Sequence, residues 1–431
     1  MIKRNLVRVL LLILTLLGSV VSVTGCTQPP AHAMEAKSDL DRDTSPRVES
    51  SDLEKLIDGN SAFAFDLYQA LREEEGNLFY SPYSISLALA MTYAGARGET
   101  EAQMAQTLHF LLSQDRLHPA FNALDLELAK RGEEVNEEEG DTFQLNIANS
   151  IWGQQDYEFL PEFLDTLALN YGAGLRLVDF IKATEEARQT INQWIEDQTK
   201  EKIKDLIPEG VLNELTRLVL ANAIYFKAGW FHPFDEGNTR EGPFYLLDGS
   251  QVSADFMFQG EEFNYTEGEG YQAIELPYVG QNTSMVILLP ETDRFEAFEA
   301  SLSSDRVTEI LADLHMKNVQ LKLPKFEYES MIGLKEVLAE MGMPNAFIDA
   351  DFSGMDGTKQ LLIQDVLHKA FILVDEEGAE AAAATVVIVG VEAALPDEPV
   401  EMTIDHPFIF MIRDMETGTI LFLGRVMNPV E

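Results

Sequence analysis

Val374-Asp375-Glu376-Glu377-Gly378-Ala379-Glu380-Ala381-Ala382-Ala383-Ala384-Thr385-Val386-Val387-Ile388-Val389-Gly390-Val391 changes its structural preference half-way along. The first half favours helix by propensity, and the second, a β-branched run, favours strand. Taken as one strand, the segment has a parity. Ala379, Ala381, Ala383, Thr385, Val387 and Val389 share a face, and all are small or apolar. The only charge between Gly378 and Glu392 is Glu380, on the other face. Such a segment can enter a sheet with one face on a core and bury no charge. On parity alone, an alanine-rich linker or a plain edge strand fits as well.

Working outward, apolar residues at helical spacing predict a helix over Leu53 to Leu71, ended by Glu73-Glu74-Glu75-Gly76. Asn77 to Pro82 reads as a short strand into a turn. Pro82 then sits in the first turn of a helix over Ser84 to Ala94, where its missing N–H costs nothing. A further helix covers Glu99 to Phe110, and Glu133 to Asp141 is an acidic loop. Phe143 to Trp152 reads as a strand, Pro161 to Tyr171 and Ala183 to Lys200 as helices. Leu218 to Lys227 is nearly all apolar, as a strand buried on both faces would be. Beyond Phe234 the pattern is mainly β, with strands over Gly242 to Leu247, Gln272 to Pro277, Ser284 to Leu289, Val319 to Phe326 and Ile404 to Ile412. Helices over Arg294 to Ser304, Arg306 to Leu314 and Gly333 to Met341 interrupt them. The order predicts an α+β domain with large mixed and antiparallel sheets.

The N-terminus is a targeting segment, set aside from the fold. Lys3, Arg4 and Arg8 precede an apolar stretch from Val9 to Val23, then Val23-Thr24-Gly25-Cys26. Small residues directly before a Cys resemble a bacterial lipobox. That resemblance implies removal of residues 1–25 and lipidation of Cys26. The alternative is secretion after cleavage at Ala31-His32-Ala33. Residues 26–52, with Pro29, Pro30 and Pro46 amid polar residues, have linker composition. The folded domain is expected over residues 53–431. Cys26 is the only Cys, so no intrachain disulfide forms. No second apolar run approaches the roughly 20 residues needed to span a bilayer, so the lipid alone would hold the protein at a membrane.

Residues 1–25 carry three of the 31 Lys and Arg and none of the 73 Asp and Glu, leaving 28 bases and a net charge of −45. A surface this acidic repels phosphate backbones and other polyanions, which argues against nucleic-acid and heparin partners. Catalytic signatures are missing: G-x-S-x-G, H-E-x-x-H and G-x-x-x-x-G-K-[ST] do not occur. Gly268-Glu269-Gly270-Tyr271-Gln272-Ala273 matches G-x-G-x-x-A only faintly, and it precedes a strand instead of following one. The seven His show no metal-ligand spacing. No cofactor and no metal site is expected, and the chain does not read as an enzyme.

From Leu53 onward the sequence resembles the serpins. The hinge Glu376-Glu377-Gly378-Ala379-Glu380-Ala381-Ala382-Ala383-Ala384 is nearly the inhibitory hinge of that family, with Ala379 where Thr or Ser is commoner. Asn77-Leu78-Phe79-Tyr80-Ser81-Pro82-Tyr83-Ser84-Ile85-Ser86, Leu220-Ala221-Asn222-Ala223-Ile224-Tyr225-Phe226-Lys227-Ala228-Gly229-Trp230, Met402-Thr403-Ile404-Asp405-His406-Pro407-Phe408-Ile409-Phe410-Met411-Ile412 and Gly424-Arg425-Val426-Met427-Asn428-Pro429 match in family order. The resemblance implies a monomeric suicide inhibitor that forms a covalent complex with a serine protease. The protease attacks an exposed loop and forms an acyl-enzyme. The cut loop then inserts as a central strand, carrying the protease some 45 Å at roughly 3.3 Å per residue. The native state is metastable. By the same resemblance Ser81, Ser84, Asn222 and His368 form the shutter under the opening sheet. Trp230 marks the breach, where Lys325 pairs with Glu376. Taken alone, His368 reads as a satisfied core histidine and Lys325 as a surface lysine.

Counting seventeen residues from Glu376 puts Glu392 before the scissile bond and Ala393 after it, while counting back from His406-Pro407 gives Leu395-Pro396. The hinge count is preferred because insertion length is mechanically fixed. Glu392 suits a Glu-tolerant protease, and Val391, Ala393 and Ala394 suit elastase-like or subtilisin-like enzymes. The loop holds no base for a trypsin-like one. Two alternatives remain: a non-inhibitory serpin acting as a binding module, and an extracytoplasmic hydrolase.

Overall fold

The computed structural model describes residues 34–132, 143–379 and 398–431. All of them fall in one compact unit, Ala33–Glu431. Cys26, the acidic loop at Glu133 to Asp141, the hinge from Glu380 to Ala384 and the Glu392–Ala393 bond lie outside the described residues.

The helices are α1 (Ser50–Leu71), α2 (Pro82–Tyr93), α3 (Gly98–Thr107), α4 (Gln114–Ala129), α5 (Pro161–Tyr171), α6 (Thr184–Gln198), α7 (Phe295–Ala300), α8 (Ser304–Ala312), α9 (Lys335–Met341) and α10 (Ser353–Asp356). The strands are β1 (Met34–Ala36), β2 (Leu78–Tyr80), β3 (Phe143–Gln154), β4 (Leu175–Val178), β5 (Leu218–Gly229), β6 (Arg240–Tyr245), β7 (Gln251–Gly268) and β8 (Tyr271–Pro277). After them come β9 (Thr283–Pro290), β10 (His315–Pro324), β11 (Phe326–Gly333), β12 (Asp365–Val374), β13 (Gly378–Ala379), β14 (Val400–Thr403), β15 (Phe408–Asp414) and β16 (Ile420–Val426).

Two sheets organise these elements. One runs β1-β4-β3-β5-β13-β12-β11, with β5 also pairing β12 directly, and the other runs β14-β10-β7-β8-β9-β15-β16-β2, with β6 on β7. The first sheet is covered on both faces. Leu218, Leu220, Ile224, Phe226 and Ala228 of β5 pack into the main core. Val219, Ala221 and Ala223 pack instead with Ile191 and Ile195 of α6. The period of two thus explains why β5 is apolar throughout. Under the sheet lies α2, buried at all twelve positions. Its N-terminus is fixed by Pro82 and by the Ser81 hydroxyl, which accepts from the Ser84 N–H at 3.1 Å. The end of α1 is closed by the buried Arg425, which donates to the Arg72 and Gly76 carbonyls and pairs with Glu299 at 2.8 Å.

Three sequence expectations are corrected. The first concerns residues 26–52, expected to be a linker: their second half is laid against the domain. Met34–Ala36 adds to β4 as an antiparallel strand. Arg42 donates to Asn122 at 2.8 Å and Asp125 at 2.7 Å of α4, and the Asp43 N–H bonds Leu169 of α5. Linker composition lost to a free sheet edge and a pair of waiting acceptors. The second concerns Val319 to Phe326, which is two strands. Pro324 ends β10, the Lys325 N–H bonds the Asp255 carbonyl at 2.8 Å, and Phe326 opens β11 in the other sheet. The third is the run Ile404 to Ile412, which His406-Pro407 interrupts, so only its second part is strand. The faint nucleotide motif forms the hairpin turn between β7 and β8, with Gly270 at a φ of +80°. Among the described residues no helix is long and apolar enough to cross a membrane.

Candidate functional site

The seam between β5 and β12 organises the site. The two strands pair in parallel from Val219↔Asp365 to Tyr225↔Phe371. Above that stretch they part, and β13 stands between them, antiparallel to both: Gly378 faces Gly229, and Ala379 faces Ala228 on one side and Val374 on the other. The small residue that parity assigned to the inward face is there. Ala379 is 1% exposed and packs in the main core.

A tight turn connects β12 to β13, and its backbone is fully engaged. The Trp230 indole N–H donates to the Asp375 carbonyl at 2.9 Å, the Phe234 N–H to Glu376 at 2.8 Å and the Trp230 N–H to Glu377 at 2.8 Å. Asp375 folds its carboxylate back onto the N–H groups of Glu377 and Gly378, an Asx-type turn. Gly378 has a φ of +150°, and a Cβ there would lie 2.2 Å from the Ala228 carbonyl oxygen. Only glycine lets the strand start this close to β5. Trp230 is held in turn by stacking on Tyr278, with centroids 4.7 Å apart.

Glu376 is buried and accepts from Lys325 Nζ at 2.6 Å and from the Thr239 hydroxyl at 2.5 Å. Burial pushes its carboxyl up, but the Lys325 ammonium and the Thr239 hydroxyl outweigh that and hold it below the usual range. Lys325 is raised by the same pairing against its own desolvation. The breach residues expected from the sequence, Trp230, Lys325 and Glu376, therefore come together. Thr239 and Tyr278 belong with them, though nothing in their local sequence marks them.

Lower on the seam lies a buried polar cluster. His368 and Asn222 are register partners across β12 and β5. His368 Nε2 accepts from the Ser81 N–H at 3.1 Å, and its Nδ1 donates to Asn222 Oδ1. Asn222 Nδ2 donates to the Ser84 hydroxyl at 2.7 Å and also to Asn149 Oδ1. Asn149 of β3 returns a bond to the Ser84 carbonyl at 3.2 Å. Burial pushes His368 down to about 3, so the ring is neutral with its proton on Nδ1. The four expected shutter residues thus form one network that ties α2 to both sides of the seam. Asn149 completes it, and it sits opposite Asn222 in the β3–β5 register. A second Asn facing the first on a buried strand is the signal that would have found it. Among the described residues no group of three or more His, Cys, Asp or Glu could hold a metal ion.

A family model described as Serpin (serine protease inhibitor) matches residues 58–429. The chain belongs to the serpin family. It is 40% identical over 400 residues to an uncharacterized serpin-like protein of Thermococcus kodakarensis, covering 93% of this chain and 92% of the relative. It is 41% identical over 390 residues to leukocyte elastase inhibitor A of Rattus norvegicus, covering 88% and 100%. Among solved structures, Serpin48 of the insect Tenebrio molitor superposes with a TM-score of 0.75 at 34% identity, over 89% of this serpin and 99% of that chain. The serpin fold accounts for the two sheets and for the seam, and the family is one of serine protease inhibitors.

Proposed function

We propose that this serpin inhibits serine proteases as a suicide substrate: its loop is cut, an acyl-enzyme forms, and insertion into the β5–β12 seam traps the protease. The observation that carries this reading is the seating of β13. The strand has started into the seam, and its first inward side chain is a buried alanine. Continuing the same parity sends Ala381 and Ala383 to the core face and the lone charge of Glu380 to the other. Glu392 and Ala393 are the proposed reactive bond, with an elastase-like, subtilisin-like or Glu-tolerant target. The leukocyte elastase inhibitors among the relatives support the first of these. The chain works as a monomer, without a polyanion cofactor, held to a membrane by lipid on Cys26.

Incubating the full chain with pancreatic elastase, subtilisin and a Glu-specific protease tests the reading. At least one should give an SDS-resistant complex and a C-terminal fragment beginning at Ala393, or one residue to either side. Cleavage of the loop by all three with no complex would leave only a non-inhibitory binding role. A fragment beginning at Pro396 would move the reactive bond. Labelled fatty acid should enter the wild type and not Cys26→Ser; equal labelling would remove the anchor.

A further inference from the structure

The register of β13 carries forward along both strands that flank it. Gly378 stands opposite Gly229 and Ala379 opposite Ala228 of β5, and Ala379 also stands opposite Val374 of β12. In the same antiparallel sense Glu380 falls opposite Lys227, and Thr385 falls opposite both Asn222 and His368. Asn222 and His368 are each other's partners now. The two registers therefore agree. A strand extended from Ala379 would part β5 from β12 without sliding either along the other.

This match is sharper than parity. β5 is apolar along its length except for Asn222, Lys227 and the Tyr225 hydroxyl. Between Gly378 and Glu392 the only polar side chains are Glu380 and Thr385. Each pair is five residues apart, and the antiparallel register lays one pair on the other. Lys227 shares the outward face of Ala221 and Ala223 and is half-buried. It makes no ion pair among the described residues; the Glu377 carboxylate is in range of its charge without bonding it. Glu380, also outward, is the one charge that the strand brings. Opposite charges directly across a strand pair stabilise it, and a shifted register would leave both without a partner.

Thr385 is on the inward face. A strand between β5 and β12 moves them about 4.8 Å further apart, which breaks the bond from His368 Nδ1–H to Asn222 Oδ1. A hydroxyl both donates and accepts, so Thr385 can accept from His368 and donate to Asn222, leaving neither buried group unpaired. No other inward residue from Ala379 to Val389 has that capacity.

We propose, on the suicide-substrate reading above, that Lys227 and the Asn222–His368 pair are register marks for the inserting strand, the first taking Glu380 and the second Thr385. The alanines and valines around them keep their parity when shifted by two residues, so parity alone does not fix where the strand stops. The two polar contacts do, and they set how far an attached protease is carried.

Cysteine pairs in a full chain carrying Cys26→Ser, which then has no other thiol, read the register. Once subtilisin has cut the loop, Ala384→Cys should form a disulfide with Ala223→Cys, its partner in this register, and Val386→Cys should not. A disulfide from Val386→Cys and none from Ala384→Cys would overturn the register while leaving insertion standing; none from either would overturn both. The Lys227 mark is read in the ratio of cleaved chain to SDS-resistant complex. Lys227→Gln and Glu380→Gln should each raise it about two- to fivefold, and the double variant no further than either. No change in the singles, or losses that multiply in the double, would overturn that mark. Thr385→Val should lower the melting temperature of the cleaved form and not of the intact chain, and Thr385→Ser should restore it. Equal melting of the cleaved Thr385→Val and wild-type forms would overturn the second mark.

Discussion

Ala379 and His368 occupy the seam for opposite physical reasons, one as the smallest inward side chain and one as a polar group with every valence met. Ala379→Arg forces a guanidinium into the core position now 1% exposed, at a cost of several kcal/mol. Insertion should stall while deacylation continues, so protease should leave a cleaved chain in place of an SDS-resistant complex. Trapping as complete as in wild type would refute the parity. His368 makes stability depend on acid. Its folded-state value of about 3 lies below the ordinary 6.5, and His118 is shifted the same way, to about 4. Between those values and about pH 6.5 the unfolded chain holds more protons. Stability is therefore full above pH 6.5 and declines as pH falls towards 3, by at most about 1.4 kcal/mol per pH unit for each group. The urea midpoint should fall from pH 7 to pH 4, and less steeply in His368→Gln. An unchanged slope would mean that the ring is not the titrating group.

The elements that make the seam differ in how openly the sequence declares them. An unbroken apolar run is a loud signal, so β5 and the body of α2 could be read directly. β12 could not: its inward positions include His368, its outward ones Lys369, and the alternation reads as a half-exposed segment with no punctuation. β7 is longer still, but polar residues alternate with apolar ones along its half-covered length and Gly260 interrupts them. Asn149 was invisible for a related reason, since a lone Asn in a strand suggests solvent unless the facing residue is known. Composition alone left the hinge open between a linker and a strand, and of its residues Gly378 and Ala379 are seated as a strand in the seam. At this scale Gly378→Ala is the informative change. The added methyl meets the Ala228 carbonyl at 2.2 Å in a backbone conformation that L residues rarely adopt. Strain of about 1–3 kcal/mol should expel β13 from the seam without unfolding the sheets. More chains should then be cleaved per protease trapped, and amide exchange should quicken at Ala228 and Gly229. Unchanged stoichiometry would mean that seating β13 in advance has no bearing on insertion.

The molecule as a whole stores what its seam withholds. β5 and β12 are joined along seven register pairs that a new strand would have to separate. In return, that strand would gain a partner on each edge and seat a row of small side chains. Cutting the loop of the intact protein with a protease that is not trapped should therefore raise the melting temperature well above that of the uncut form. An equal melting temperature would mean that the seam cannot admit the loop. The residues that linker composition hid have a consequence of another kind. By adding Met34–Ala36 to β4, the chain covers with its own N-terminal segment the rim of the seven-stranded sheet, leaving only three residues of strand exposed beyond it. An open rim is a template on which a second copy can pair its backbone, and short, covered rims are how proteins avoid that fate. The segment from Met34 to Asp43 takes the place that such a pairing would use. A nick that frees it should open the backbone of β4 to pairing with another chain.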